Sequence, residues 1–249
     1  MTDAELARRI ADAAGTVLMA LRDSGLFSGK ALGQAGDRVA NALILEALAT
    51  QRPEDSVLSE ESTDDPARLE QSRVWIVDPL DGTREYSEGR SDWAVHIGLS
   101  IDGVAAVGAV ALPGLGLTLT SDAPPPLPAA NVPPRMLVSR TRPAAEATAV
   151  AEAIGAELLP MGSAGAKAMA VVRGEADIYL HTGGQYQWDN CAPVAVAAAA
   201  GLHVSRVDGS PLVYNAADTY LPDLLICRKE EAEQLLSLVA VLDTVRGAA

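Results

Sequence analysis

Asp78-Pro79-Leu80-Asp81-Gly82-Thr83 is the stretch best equipped for chemistry. The apolar run Val74-Trp75-Ile76-Val77 reads as a buried strand that delivers Asp78 at its end, and Pro79 fixes the turn. Asp81 points back toward the same space three residues later. Gly82 lets backbone approach closely, and Thr83 opens a helix or turn whose N–H groups could hold a phosphate. Two carboxylates fixed at the end of a rigid strand make a hard-oxygen site suited to Mg²⁺. The same residues also fit a plain β-turn with Asp, Pro and Gly in favoured slots.

Other acids read two ways as well. Asp189 follows Trp188 and precedes an apolar helix, where Asp is an ordinary N-cap. Glu60 and Glu61 fit a solvated loop. Asp37, after Gly36, fits the N-cap of a second helix. Gly162-Ser163-Ala164-Gly165-Ala166-Lys167 offers amides and a Lys to an anion, or is a Gly-rich turn; it lacks the Gly-Lys-Ser/Thr of nucleotide-hydrolase loops.

The set says more than its members. Glu60, Asp78, Asp81 and Asp189 brought together would repel strongly unless cations neutralised them. Two or three Mg²⁺ would do so and leave room for a phosphate, as in metal-assisted phosphate hydrolysis with ions about 3.5–4 Å apart. The chain carries 19 Lys and Arg against 33 Asp and Glu, a formal net charge of −14. That excludes a nucleic-acid surface and an anionic membrane as partners. An anionic substrate fits once a divalent cation inverts the local field. Asp78 and Asp81 are three residues apart, which departs from the Asp-x-Asp of phosphatases with an aspartyl nucleophile.

Val57-Leu58-Ser59-Glu60-Glu61, Trp75 to Thr83 and Trp188-Asp189 together resemble the inositol monophosphatase superfamily over nearly the whole chain. Arg84-Glu85-Tyr86 after Thr83, the stretch Gly162 to Leu180, and Asp208-Gly-Ser-Pro-Leu-Val-Tyr-Asn215 are similar to its CysQ branch, the 3′-phosphoadenosine 5′-phosphate (PAP) phosphatases, in their actinobacterial, mycobacterial form. The resemblance implies a layered αβαβα sandwich and a lithium-sensitive, Mg²⁺-dependent phosphomonoesterase with two or three ions. It implies metal binding by Glu60, Asp78, the Leu80 carbonyl, Asp81 and Asp189. It assigns water activation to Thr83, with Asp37 behind it, or to Glu60. It places substrate at the amides of Gly82 and Thr83, at Asp189, and at Ser163 and Lys167. Three features depart from the family pattern: the run Leu32 to Asp37, one extra residue between Gly162 and Lys167, and Cys191 where a small residue is usual.

These residues need a scaffold, and 49% apolar residues supply a core. Aromatics are only 4%, with one Phe, so Ala, Val and Leu must fill it. Thr2 with Glu5 fits a capping box opening a helix that Gly25 and Gly29 end. A second helix is predicted over 38–49, with Val39, Leu43, Ala47 and Leu48 on one face. Strands are predicted at 57–58, 74–77, 93–100 and 104–112, the last two joined by the hairpin signal Asp102-Gly103. Six of the 15 prolines lie between Asp122 and Pro134, marking a boundary or surface excursion. Strands at 136–139, 177–181, near 204 and at 224–227 then alternate with helices at 142–154, 164–172, 190–201 and 230–245. The expected organisation is an α+β N-terminal lobe over 1–122 carrying most metal ligands, a Pro-rich linker over 123–134, and an α/β C-terminal lobe over 135–249, forming one catalytic unit.

The leading expectation is PAP hydrolysis to AMP and phosphate, in sulfate assimilation. Inositol-1-phosphate and fructose-1,6-bisphosphate are rival substrates, and a non-catalytic, regulatory binder of phosphorylated ligands is the reading from another class. Two cysteines, Cys191 and Cys227, are too few for a disulfide framework. With no signal-peptide pattern and no span-length apolar run, the expected location is the cytoplasm. Relatives of the inositol type suggest a possible homodimer.

Overall fold

Two helices open the chain, α1 (Asp3–Asp23) and α2 (Gly29–Gln51), in a computed structural model that describes residues 1–247. Thr2 caps α1 as expected: its Oγ1 accepts the Glu5 N–H at 3.1 Å. The Glu5 carboxylate turns instead to Arg9, one turn on. Gly29, expected to end α1, is the first residue of α2, so α2 starts well before Arg38. Asp37 therefore lies inside α2 and is not its N-cap. Gly33 and Gly36 are poor helix formers by propensity. Here they serve close packing: a Cβ on Gly33 would fall 2.6 Å from Thr83 Cγ2, and one on Gly36 2.9 Å from Leu80 Cδ2. The buried stripe of α2 holds Leu32, Ala40, Ile44 and Leu48, whereas Val39 is exposed.

Five strands follow: β1 (Ser56–Ser59), β2 (Arg73–Asp81), β3 (Ala94–Ile101), β4 (Val104–Leu112) and β5 (Leu117–Thr120). They form one sheet in chain order, with β1 parallel to β2 and the other pairs antiparallel. Asp102 and Gly103 turn the β3–β4 hairpin with positive φ at both residues, as a type I′ turn demands. The short helix α3 (Thr83–Ser87) springs directly from β2.

Residues 121–134 carry no regular structure and lead to the second sheet. The segment is pinned: Asp177 accepts the N–H groups of Asn131 (3.0 Å) and Arg135 (2.9 Å), and Arg228 donates to the Pro128 carbonyl. The remaining elements are β6 (Arg135–Ser139), α4 (Ala145–Ile154), β7 (Glu157–Met161), α5 (Ala164–Val172), β8 (Ile178–His181), β9 (Gln185–Tyr186), α6 (Gln187–Ala199), β10 (His203–Ser205), β11 (Tyr220–Leu221), β12 (Leu224–Cys227) and α7 (Ala232–Gly247). The second sheet has the order β10-β12-β8-β6-β7, and β9 pairs with β11 as a short ribbon. β7 is unforeseen because Pro160 interrupts its pattern; as an edge strand it tolerates that residue.

Side-chain alternation along the strands builds five layers. Trp75, Val77, Val95, Ile97 and Leu99 face α1 and α2. Val74, Ile76, Val110 and Leu112 face the opposite way, into a core shared with α5, α6 and the inner face of the second sheet (Leu137, Tyr179, Leu224, Ile226). Met136, Val138, Ile178, Leu180 and Leu225 pack outward against α4 and α7. This is the expected αβαβα sandwich. Among the described residues no helix is long and apolar enough to cross a membrane.

The middle layer sits tightly on the first sheet. A Cβ on Gly108 would fall 2.3 Å from the Ala192 carbonyl oxygen and 2.9 Å from Ala195 Cβ. Backbone cannot yield as a flexible side chain can. Gly108→Ala is therefore expected to cost about 2–3 kcal/mol and to lower Tm by roughly 4–12 °C in a calorimetric scan.

Candidate active site

Parallel pairing creates the first contact of the site. Ser59 on β1 is in register with Val77 on β2, and the Glu60 N–H donates to the Val77 carbonyl at 3.3 Å, so Glu60 emerges beside Asp78. The pairing of β2 with β3 shifts register between Asp78 and Asp81, a bulge that lets both acids serve one space. Asp189 arrives from another layer, in the first turn of α6. It is not the N-cap itself; its Oδ2 accepts the Tyr186 N–H, the N-cap amide, at 2.6 Å. Carboxylate oxygens of Asp78, Asp81 and Asp189 all lie within 4.8 Å of one another.

Thr83 begins α3 just beyond. Its Oγ1 lies 3.3 Å from Asp37 Oδ1 and 3.1 Å from the Leu80 carbonyl, two acceptors for one hydroxyl proton. Gly82, with φ of 89°, makes the turn, and a Cβ there would fall 3.2 Å from both Ser163 Cβ and Trp93 Cβ. Sequence-distant acids, a hydroxyl and a strand-to-helix turn thus meet in one place.

A family model, the inositol monophosphatase family, matches residues 4–242. The chain belongs to the inositol monophosphatase family. A relative from Mycobacterium leprae, named 3′-phosphoadenosine 5′-phosphate phosphatase, is 49% identical over 96% of this chain and 94% of its own length. The 3′(2′),5′-bisphosphate nucleotidase CysQ of Escherichia coli K12 is 31% identical over 75% of this chain and 81% of its own. The crystal structure of CysQ from Bacteroides thetaiotaomicron superposes with a TM-score of 0.78 at 26% identity, covering 91% of this chain and 97% of that one. The protein is a phosphatase of this family.

The electrostatics of this inositol monophosphatase-type site split its acids in two. Burial, then Glu60, Asp81 and Asp189, push Asp78 well above the usual carboxylate range; its Oδ1 accepts the Leu80 N–H at 2.9 Å. Glu60 keeps solvent access, yet loss of hydration and the Asp189 charge raise it to about 7. Asp189 is raised to about 6 by burial and Asp81. Asp37 also reaches about 6, through burial and Glu61. Asp81 goes the other way. Burial opposes its charge, but His96, Ser163 and the Gly165 amide hold it at about 2. The Ser163 hydroxyl donates to Asp81 Oδ2, as does the Gly165 N–H at 2.7 Å, and the Ala164 N–H donates to Oδ1 at 3.1 Å. Asp81 thus sits on the N-terminal amides of α5, where the helix dipole favours an anion.

Ser163 caps α5 with φ of 46°, its Oγ accepting the Ala166 N–H at 3.0 Å. Despite the extra residue in its loop, Ser163 reaches the site. Lys167 is buried, and its Nζ donates to the carbonyls of Gly162 (3.1 Å) and Ser163 (2.7 Å), over the Tyr179 ring; burial lowers its pKa. The CysQ-like triplet divides its work. Arg84 pairs with Glu88 at the surface, buried Glu85 accepts from Arg140, and the Tyr86 hydroxyl donates to the Leu18 carbonyl.

His96 is absent from the predicted set. It is fully buried, with Nε2 3.1 Å from Asp81 Oδ2 and Nδ1 3.0 Å from the Trp188 carbonyl, one residue before Asp189. A lone His in the middle of an apolar strand was its one signal. Cys191 is buried and its thiol is pushed up by burial, so it packs rather than reacts.

The donor set fits a hard divalent cation. Three clustered carboxylates, one of them fully buried and forced toward protonation by its like-charged neighbours, would ionise readily beside a cation.

Proposed function

We propose that this protein hydrolyses 3′-phosphoadenosine 5′-phosphate to AMP and phosphate in a Mg²⁺-dependent reaction, within sulfur metabolism. The observation that carries the reading is the meeting of Asp78, Asp81 and Asp189 beside Thr83 and Asp37, in a chain about half identical to named PAP phosphatases. Glu60, Asp78, the Leu80 carbonyl, Asp81 and Asp189 would hold two or three Mg²⁺. Bound there, Mg²⁺ supplies charge neutralisation, activation of a water and stabilisation of the leaving oxygen.

The chain's own groups do the rest. Thr83 Oγ1 orients the attacking water, and Asp37, poised near 6 behind it, can take up the proton that Thr83 relays. Glu60, raised to about 7, is a second proton acceptor on the open side. The Gly82 and Thr83 amides face the phosphate at the strand-to-helix turn. Ser163 and Lys167 act next to the nucleotide, Ser163 by fixing Asp81 and Lys167 by fastening the loop that Ser163 heads. The two lobes, 1–122 and 135–249, serve as one catalytic unit because Asp189 and Ser163 come from the second and the other acids from the first.

Phosphate release from PAP, inositol-1-phosphate and fructose-1,6-bisphosphate, measured with Mg²⁺, with EDTA and with Li⁺, tests this. PAP turnover that EDTA abolishes and Li⁺ inhibits is expected. Comparable rates on sugar phosphates would make the protein a generalist, and no release from any substrate would favour a phospho-ligand binder. Thr83→Ala is expected to lower kcat about 10²–10³-fold while Mg²⁺ binding, read by calorimetry, stays unchanged.

A further inference from the structure

The segment Asp208 to Asn215 has no role in the chemistry above, yet it ends in a dense buried network. Arg68, in a turn eight residues beyond Glu60, is almost completely buried. Its Nε and Nη2 bond both carboxylate oxygens of Asp64, at 2.6 and 2.9 Å. Its Nη1 donates to Asn215 Oδ1 at 2.8 Å and to the Ala216 carbonyl at 3.2 Å. Asn215 answers with its Nδ2, which donates to the Arg68 carbonyl at 2.9 Å. Asn215 adopts a left-handed backbone, φ 56°, which Asn tolerates better than most residues.

The network continues to the helix that carries Asp189. The Asn215 N–H donates to Gln187 Oε1 at 2.7 Å, and Gln187 Nε2 donates to the Asp218 carbonyl at 3.1 Å. Gln187 is fully buried and is the first residue of α6, two before Asp189. An unbroken chain of hydrogen bonds therefore joins the loop after Glu60 to the start of α6. β2 fixes Asp78 and Asp81 relative to each other. Glu60 and Asp189 arrive on separate elements and repel one another, so their spacing needs another restraint. A buried guanidinium is costly to desolvate, and this one is spent on that join.

We propose that Arg68, Asn215 and Gln187 form a positioning strap that holds the Glu60 loop and the Asp189 helix at the separation divalent cations require. The strap rests on the metal-dependent reading above. Groups that orient metal ligands are typically worth 10–100-fold in metal affinity.

Two variants test it with the full-length protein and Mg²⁺ alone, by titration calorimetry without substrate. Asn215→Gly keeps the left-handed backbone accessible and removes the side chain. Arg68→Lys keeps the charge and removes the fork. Arg206→Lys is the control, since it loosens the comparable Arg206–Asp223 pair outside the site. Each strap variant is expected to weaken Mg²⁺ binding at least tenfold, with kcat at saturating Mg²⁺ within about twofold of the parent. The control should bind Mg²⁺ as the parent does. Strap variants that bind Mg²⁺ like the parent, even with a lower Tm, would overturn the strap. So would a control that weakens binding equally. A parent that binds no Mg²⁺ at all would overturn the metal-dependent reading itself, and the strap with it.

Discussion

Asp78→Asn should cut phosphate release by about 10³-fold or more, and should raise the melting temperature of the metal-free protein. The first effect follows from removing a buried carboxylate of the proposed Mg²⁺ site: several kcal/mol of transition-state charge stabilisation are at stake, and each 1.36 kcal/mol is tenfold in rate. The second follows from the site's self-repulsion. Asp78 is buried beside Glu60, Asp81 and Asp189, and all but Asp81 are pushed toward protonation. A neutral amide there relieves the repulsion, and its oxygen can still accept the Leu80 N–H. Scanning calorimetry in EDTA together with a phosphate assay in Mg²⁺ reads both effects. Unchanged turnover would remove Asp78 from the site; lower stability with unchanged turnover would make the segment a structural turn. Asp81 is a poorer probe. It accepts three donors at the start of α5, so an Asn amide group would meet N–H groups and disrupt the helix start while also removing a carboxylate of the proposed metal site.

The second large effect concerns pH. Asp37 and Asp189 are raised to about 6 and Glu60 to about 7, and burial with its like-charged neighbours pushes Asp78 well above the usual carboxylate range. In the unfolded chain these groups titrate near 4. Between about 4 and 7 the folded, metal-free protein therefore binds more protons than the unfolded chain. Its stability falls as pH rises through that window, the reverse of ordinary acid denaturation. Asp81, held at about 2, contributes the opposite slope only below the unfolded carboxylate range. Mg²⁺ should flatten the slope, because it binds the ionised acids and releases their protons. At a hundred times its Kd it should add about 2.7 kcal/mol of stability. Urea titrations at pH 5 and pH 7.5, with EDTA and with Mg²⁺, measure this. A metal-free protein more stable at pH 7.5 than at pH 5 would contradict the acid cluster as described.

Much of this was legible in the residues. The hairpin at Asp102-Gly103 and α5 are where periodicity and turn chemistry put them, because local preference and burial agree there; the strand that delivers Asp78 is where expected, but it runs on through a bulge at Pro79 to Asp81 and turns only at Gly82. The start of α2 is not legible: Gly29 reads as the end of α1 and Asp37 after Gly36 as a cap, and only the neighbours Thr83 and Leu80 reveal why Gly33 and Gly36 sit inside a helix. Asp37 consequently reads as a cap from the sequence, although the family resemblance already sets it behind Thr83. The acids emerged as a set because family motifs carry them. His96 and Arg68 did not, since a buried polar residue is recognised by partners distant in the chain: Asp81 and Trp188 for one, Asn215 for the other.

α6 lies between the two sheets, with Ala192 and Ala195 against Gly108 on one side and its apolar residues sharing a core with the inner face of the second sheet. Neither sheet can close that face without it. A chain emerging during synthesis has finished β1 to β5 long before α6 exists, and it must hold an uncovered apolar sheet until residues 187–199 arrive. The same helix brings Asp189, so the element that covers the first sheet also brings the last of the proposed metal-site acids, with β10, β12 and α7 still to follow. A chain halted before residue 187 thus carries both an uncovered apolar sheet and an acid cluster that lacks Asp189.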